Sequence, residues 1–347
     1  VKLKGFSLIY IRKRMIDLTK SWKQLEQWQP SIVKLLKNIR INDRIAHAYL
    51  FTGAKGTGKR DVGLLFAKSL FCENPINGYE PCEKCMNCKR INHQNHPDVH
   101  ILEPDGNSIK KDQIKALQQE FAKKSVESTR KFYMIHHADK MTPNAANSLL
   151  KFLEEPSSHT TAILMTENIH QILPTILSRC QILKFTPLPK KEMISLLIES
   201  GIRSDRAPLL ASMTNSVEEA IHLGNDDWFA QARKVMLKLY EVLSSQNLLD
   251  ALLYIQHEMF NHFKDRHQID QALDLLLFIY RDLLYIQLGR EGDLIFKDQL
   301  DYLQTKAIQT SADRLSDQMA FILEAKKKLQ SNMNAQLLME QLLQKLS

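Results

Sequence analysis

The chain has 347 residues, more than a single hydrophobic core usually serves, so two or three compact units are expected. Apolar residues make up 44% and charged residues 25%, with only 11 glycines and 11 prolines, which excludes a disordered or low-complexity chain. A formal charge of +8 is compatible with a polyanionic partner without requiring one; no apolar run is long enough to span a bilayer, so a cytoplasmic protein with no membrane partner is expected.

A basic leader, residues 1–20, comes first. Residues 1–14 show neither helical nor strand periodicity and precede Met15, so they read as a frayed tail or an extension upstream of the true start. Between residues 46 and 186 short apolar runs alternate with helical patterns, which is the signature of a parallel sheet flanked by helices. The predicted strands are 48–52, 98–103, 131–136, 161–166 and 181–185. Helical spacing shows in Ile114, Leu117 and Phe121, and in Leu149, Leu150 and Leu153.

Directly after the first predicted strand, Gly53-Ala54-Lys55-Gly56-Thr57-Gly58-Lys59-Arg60 fits the pattern G-x-x-x-x-G-K and leads into a helix. Gly53, Gly56, Thr57, Gly58, Lys59 and Arg60 are the candidate nucleotide contacts: glycines let backbone N–H groups converge on phosphates, and Lys59 reaches the outer phosphate oxygens. The metal half of such a site is missing. Arg60 stands where a Ser or Thr hydroxyl would hold magnesium, and His136 and His137 follow the third strand where an Asp for the metal and a Glu for the attacking water belong. Asp139, three residues beyond the metal position, reads as an acidic residue opening a helix. His136 and His137 are disfavoured as metal ligands because adjacent strand residues face opposite sides of a sheet. ATP or ADP can therefore be held without hydrolysis, since the loop amides and Lys59 are retained.

Between the loop helix and the second strand, Cys72, Cys82, Cys85 and Cys88 form C-x9-C-x2-C-x2-C in a stretch rich in Asn, Pro and Gly. Close Cys-x2-Cys pairs suit tetrahedral thiolate coordination, so a structural Zn(2+) with a closed shell is expected, with a disulfide framework as the rival explanation. His93 and His96 read as bystanders. Lys84, Lys89 and Arg90 read as a solvated rim, the alternative being a nucleic-acid contact.

The fourth strand leads into Leu173-Pro174-Thr175-Ile176-Leu177-Ser178-Arg179-Cys180. Together with Asn147-Ser148-Leu149-Leu150-Lys151-Phe152-Leu153-Glu154-Glu155-Pro156 and the spacing of loop and cysteines, this closely resembles the bacterial clamp-loader subunits, over residues 20–225 and more weakly beyond. The resemblance implies an α/β P-loop AAA+ domain with a zinc-binding insert, then a small helical lid and an all-α collar domain. It makes Arg179, preceded by Ser178, an arginine finger directed at the nucleotide of a neighbouring subunit, and matches Thr166 to a phosphate-sensing position, which without the metal ligands is either vestigial or simply a strand terminus. The missing motor residues resemble the non-motor, delta-prime type. Glu218, in Asn215-Ser216-Val217-Glu218-Glu219-Ala220, aligns with the arginine that senses nucleotide in the lid of active relatives.

The Pro-containing junction Thr186-Pro187-Leu188-Pro189 is the best boundary, with strand signals almost absent beyond it and Leu-rich helical patterns from residue 227 onward. The expected division is a domain at 21–186 with the cysteine module at 72–88, a lid at 187–225 and a collar at 226–347. The resemblance further implies a hetero-pentamer with a delta subunit and three tau/gamma motor subunits, acting on a sliding clamp and primed DNA, and membership of a DNA-directed DNA polymerase (nucleotidyltransferase) holoenzyme. No polymerase carboxylate constellation is visible. The alternatives are an autonomous AAA+ ATPase in which Asp139 or Glu154 replaces the missing acid, and a zinc-dependent nucleic-acid-binding module.

Overall fold

The computed structural model describes residues 21–122, 130–154, 159–245, 247–331 and 333–346. The basic leader 1–20, and Glu155 and Pro156 of the Glu-Glu-Pro segment, lie outside the described residues. The chain divides into two compact units, Val1–Leu188 and Pro189–Ser347.

In the first unit, α1 (Trp22–Trp28) opens on a capping box. The Ser21 hydroxyl accepts from the Gln24 amide at 3.4 Å while the Gln24 side chain accepts from the Ser21 amide at 2.9 Å, which satisfies two otherwise unpaired donors. Helix α2 (Pro30–Ile41) follows, then β1 (Ala48–Thr52), α3 (Lys59–Phe71), α4 (Met86–Asn92), β2 (Val99–Leu102), α5 (Lys111–Ala122), β3 (Lys131–Ile135), α6 (Pro143–Glu154), β4 (Thr160–Thr166), α7 (Pro174–Leu177) and β5 (Gln181–Lys184). The strands form one parallel sheet in the order β2-β3-β4-β1-β5. They fall on the five segments expected from sequence, with ends shifted by no more than one residue.

Alternation along the strands explains why the sheet is covered on both faces. Tyr49 and Phe51 of β1, Phe132 and Met134 of β3 and Ile163 and Met165 of β4 pack with Trp22, Val33, Leu36, Val62 and Phe66 from α1, α2 and α3. Ala48, Leu50, Tyr133, Ile135, Ala162 and Leu164 face the opposite way, onto Ile114 and Leu117 of α5 and Ala145, Leu149 and Leu153 of α6. A strand covered on both faces must be apolar throughout, which is why β1 and β4 read as continuous apolar runs.

The second unit is helical. Helices α8 (Lys190–Glu199), α9 (Ala207–Met213) and α10 (Val217–Gly224) pack on one another, and α11 (Asp227–Ser244) follows. Then α12 (Leu248–Tyr254) runs through a π-helical turn, Ile255–Met259, into the short α13 (Phe260–His262). The long α14 (Arg266–Gln287) packs with α11, α15 (Leu300–Ala307) and α16 (Ala312–Gln330), and α17 (Ala335–Leu346) closes on α16. The Asp282 carboxylate on α14 is buried and accepts from the amides of Ile295 at 2.9 Å and Phe296 at 2.7 Å, pinning the loop before α15. Among the described residues no helix is long and apolar enough to cross a membrane.

Two glycines of this unit-1 core differ in what a methyl group would meet. A Cβ on Gly53 would lie 2.3 Å from the Phe185 carbonyl oxygen, whereas one on Gly63 would meet the mobile ends of Met165 and Met134 at 2.6 and 2.9 Å. Backbone cannot yield as a methionine tip can, so Gly53→Ala is expected to destabilise by about 3 kcal/mol or more and Gly63→Ala by about 1 kcal/mol. Urea unfolding of the two variants checks the order; equal losses would contradict it.

Candidate functional site

The phosphate loop lies where β1 ends and α3 begins. Gly58, with φ of 81°, caps α3, and Gly56 shares that left-handed conformation at 81°, which side chains rarely adopt. The Thr57 hydroxyl donates to the Ala54 carbonyl at 2.9 Å. The Lys59 ammonium donates to the carbonyls of Gly53 at 2.6 Å and Ala54 at 2.8 Å. Burial lowers the Lys59 pKa from its ordinary value, and the nearby charges of Glu167 and Asp139 oppose that shift. The Gly53 amide donates to the Thr166 carbonyl at 3.2 Å, so the loop starts level with the end of β4.

One loop contact had no sequence signal. Gln29 is buried between α1 and α2, and its side-chain amide donates to the carbonyls of Thr57 at 3.2 Å and Thr186 at 2.6 Å. It ties the loop to the chain leaving β5. Its partners are 28 and 157 residues away, beyond the reach of any periodicity.

Around the expected metal position the side chains are basic. The Arg60 guanidinium is about half exposed and lies 3.7 Å from a Glu103 carboxylate oxygen. His136 is 8% exposed, and its Nε2 is buried without a hydrogen-bond partner. Burial first, and then the charge of Arg60, pull its pKa down to about 4, so the ring is neutral at pH 7. His137 turns into the left-handed region with φ of 50°, and its Nδ1 lies 3.8 Å from Glu167.

Asp139 stands, as expected, in the first turn of a helix, here the short 3-10 helix Ala138–Lys140, and its carboxylate accepts from the Thr166 hydroxyl at 2.8 Å. The turn carries the carboxylate back over the strand ends, where it and Glu167 are felt by Lys59. Of the two acids considered as replacements, Asp139 is near enough for its charge to act on Lys59, whereas Glu154 is held by Arg179 at 2.7 Å.

Arg179 lies in the turn between α7 and β5, with 34% of its side chain exposed. Besides Glu154, its guanidinium donates to the Thr175 carbonyl at 2.9 Å and approaches the Ser178 hydroxyl at 3.4 Å. Ser178 itself donates to the Thr175 carbonyl at 3.1 Å. Glu218, in the second unit, accepts from the Ser216 hydroxyl at 3.0 Å in the first turn of α10.

The ligand atoms of Cys72, Cys82, Cys85 and Cys88 all lie within 4.8 Å of one another, and the four thiols are free. In a tetrahedral site with metal–sulfur bonds of about 2.3 Å, the sulfurs stand about 3.8 Å apart, so this set can hold a metal ion with small adjustment. Backbone amides already point at the sulfurs: Cys82 donates to Cys72 at 3.3 Å, Cys85 to Cys82 at 3.3 Å and Cys88 to Cys85 at 3.4 Å. Such donors favour thiolate. Amides of Lys84 and Cys85 lower the Cys82 pKa to about 6, while burial raises Cys72 and Cys88. His96 is a core residue, accepting from the Asp98 amide at 3.1 Å and stacking edge-on against Phe71; His93 is an exposed helix cap. Lys84 and Lys89 are exposed.

Sequence profiles described as DNA polymerase III, delta subunit, and DNA polymerase III, delta subunit, C terminal, match residues 28–189 and 227–347. DNA polymerase III subunit delta' of Bacillus subtilis (strain 168) is 51% identical over 322 residues, spanning 93% of this chain and 97% of the relative. The chain belongs to the DNA polymerase III delta-prime family. DNA polymerase III subunit tau of the same organism is 29% identical over 83% of this chain and 56% of its own length. A DNA polymerase III gamma-subunit-related protein from Thermotoga maritima has a TM-score of 0.46 at 19% identity, over 89% of this chain and 97% of that one. The fold of this delta-prime family member is the expected one, an α/β P-loop AAA+ unit with a cysteine-bearing insert followed by helices.

For this family member the buried His136 carries a pH dependence. Its folded pKa of about 4 lies below the ordinary 6.5, so between those values the unfolded chain binds more protons. Its contribution is full above pH 6.5 and is lost as pH falls toward 4, by up to about 3 kcal/mol. His136→Asn, which does not titrate, is expected to flatten the stability slope between pH 6.5 and 4 in urea titrations. An unchanged slope would count against that assignment.

Proposed function

We propose that the chain is a non-motor subunit of the DNA polymerase III clamp loader, helping to place the sliding clamp on primed DNA and completing the ATP site of a neighbour through Arg179. One observation carries the reading: Arg179, about one-third exposed, stands on the turn before β5, at the end of the sheet away from the chain's own phosphate loop, and that loop has Arg60 and His136 at its metal positions. A guanidinium offered to a neighbour's γ-phosphoryl group stabilises charge there without needing magnesium or a base of its own. Ser178 and Thr175 hold the turn that presents it. Glu154 restrains the guanidinium in the isolated chain through a pair exposed enough to contribute only about 0–1 kcal/mol, so a triphosphate displaces it readily.

In this reading the chain acts in the cytoplasm within a hetero-pentamer containing a delta subunit and three tau/gamma motor subunits. Residues 21–186 form the AAA+ domain, 187–225 the lid and 226–347 the collar through which subunits associate. The loop of Gly53, Gly56, Thr57, Gly58, Lys59 and Arg60 holds ADP or ATP without turnover, with Thr166 retained next to it. The four cysteines hold a structural Zn(2+): among the described residues their sulfurs converge with amides directed at them and no fifth ligand type is grouped with them, as a closed shell requires.

The decisive experiment is ATP hydrolysis by a loader reconstituted with native chain or Arg179→Ala, with clamp and primed DNA present. A finger in trans contributes about 10³–10⁵ in rate at its own site, so that site is expected to fall silent while assembly stays intact. Total hydrolysis then drops by at least about a third if the motor sites fire independently, and further if they are coupled. Unchanged hydrolysis by an intact assembly would sink the finger. For the metal, purified chain is expected to carry about one zinc, and chelation or Cys88→Ala is expected to lower the melting temperature together with zinc content. A full-length chain of native stability with no zinc would count against the site.

A further inference from the structure

The phosphate half and the metal half of the loop disagree. Glycine-shaped backbone at Gly56 and Gly58, the N-terminus of the thirteen-residue α3 and the Lys59 ammonium are all suited to phosphate oxygens. Magnesium asks for oxygen ligands at about 2.1 Å in an octahedron. At the two positions that would supply them stand a guanidinium, which cannot ligate a cation, and a neutral imidazole, a poor partner for so hard an ion.

From this mismatch we infer that the site takes the phosphates of ADP or ATP free of divalent cation, with the Arg60 guanidinium supplying the positive charge that magnesium supplies elsewhere. The inference rests on the reading that nucleotide binds at the Lys59 loop. Three observations point the same way. Arg60 is the second residue of α3, next to Lys59, and its contact with Glu103 is long and half exposed, so it can turn toward a bound anion at little cost. A guanidinium can meet phosphate oxygens in pairs, which a magnesium ion does by coordination.

Second, His136 is more than nine-tenths buried, and its Nε2 has no hydrogen-bond partner. The charges of Arg60, Glu103, His137 and Lys59 all act on the ring, so it lies near the start of α3. In the tautomer with its proton on Nε2, it is a neutral donor ready for a phosphate oxygen or a water held by one. Third, the Asp139 carboxylate, the acid nearest in kind to a metal ligand, is engaged by the Thr166 hydroxyl at 2.8 Å and approached by the Glu167 amide at 3.4 Å. Glu103, Asp139 and Glu167 make up the acidic surroundings, and a cation held by them is the competing outcome.

The test is equilibrium binding by the full chain, titrating a fluorescent ADP and unlabelled ATP in magnesium buffer and in EDTA. The two dissociation constants are expected to agree within about two-fold. Arg60→Ser is expected to weaken binding in EDTA by about ten-fold or more and to make it respond to magnesium, while Lys59→Ala loses binding in both buffers. Binding by the native chain only with magnesium would overturn the inference and leave the nucleotide reading standing. Absence of binding in both buffers would overturn the two together. The comparison on native protein decides the matter even if a variant folds poorly.

Discussion

The parallel pairing of β1 with β4 on one side and β5 on the other is the constraint on which the rest of the first unit depends. It sets Thr52 opposite both Thr166 and Lys184, and the ladder continues with the Phe185 amide donating to the Thr52 carbonyl at 2.7 Å. The phosphate loop, Thr166 and the chain leading out of the unit therefore share one edge of the sheet. The register is specified because β1 is buried on both faces: a slip of one residue would exchange Tyr49 and Phe51 with Leu50, and neither core has the matching shape. Gly53 has no Cβ because the Phe185 carbonyl occupies that space, so the loop's first glycine is a consequence of strand packing as much as of phosphate chemistry.

The same edge explains how the loop keeps its shape with Arg60 and His136 beside it. Its conformation is held from within by Thr57 and Lys59 on the Gly53 and Ala54 carbonyls, and from outside by Gln29. None of these contacts uses the side chain of Arg60 or His136. Arg60 and His136 can therefore vary without unfolding the loop, and what changes is the electrostatic character of the space next to it. The cysteine module leans on the same unit: the Trp22 indole donates to the Tyr79 carbonyl at 3.3 Å, so a metal that orders the module also steadies α1, at whose end Gln29 lies.

Much of this was legible in the chain. The loop, the four cysteines and the Ser-Arg-Cys turn are contiguous or closely spaced motifs, and the central strands β1, β3 and β4 could be read because two-sided burial demands apolar runs. The contacts that give the site its character were not. Asp139 meets Thr166 across 27 residues, Gln29 meets Thr186 across 157, and Arg179 meets Glu154 from a different element. Asp139 does start a helical turn, as its position suggested, but its contact with Thr166 at the end of β4 could not be read from any local pattern.

The sequence by itself determined the element types, the glycine-rich loop after β1, the four-cysteine set and the presence of Arg60 and His136 at the expected metal positions, because each follows from residue type at short spacing. Only the tertiary structure decided the strand order, the restraint of Arg179 by Glu154 and the burial of the unpartnered His136 imidazole. These depend on which surfaces meet, and that is set by packing two faces of one sheet at once rather than by any local pattern.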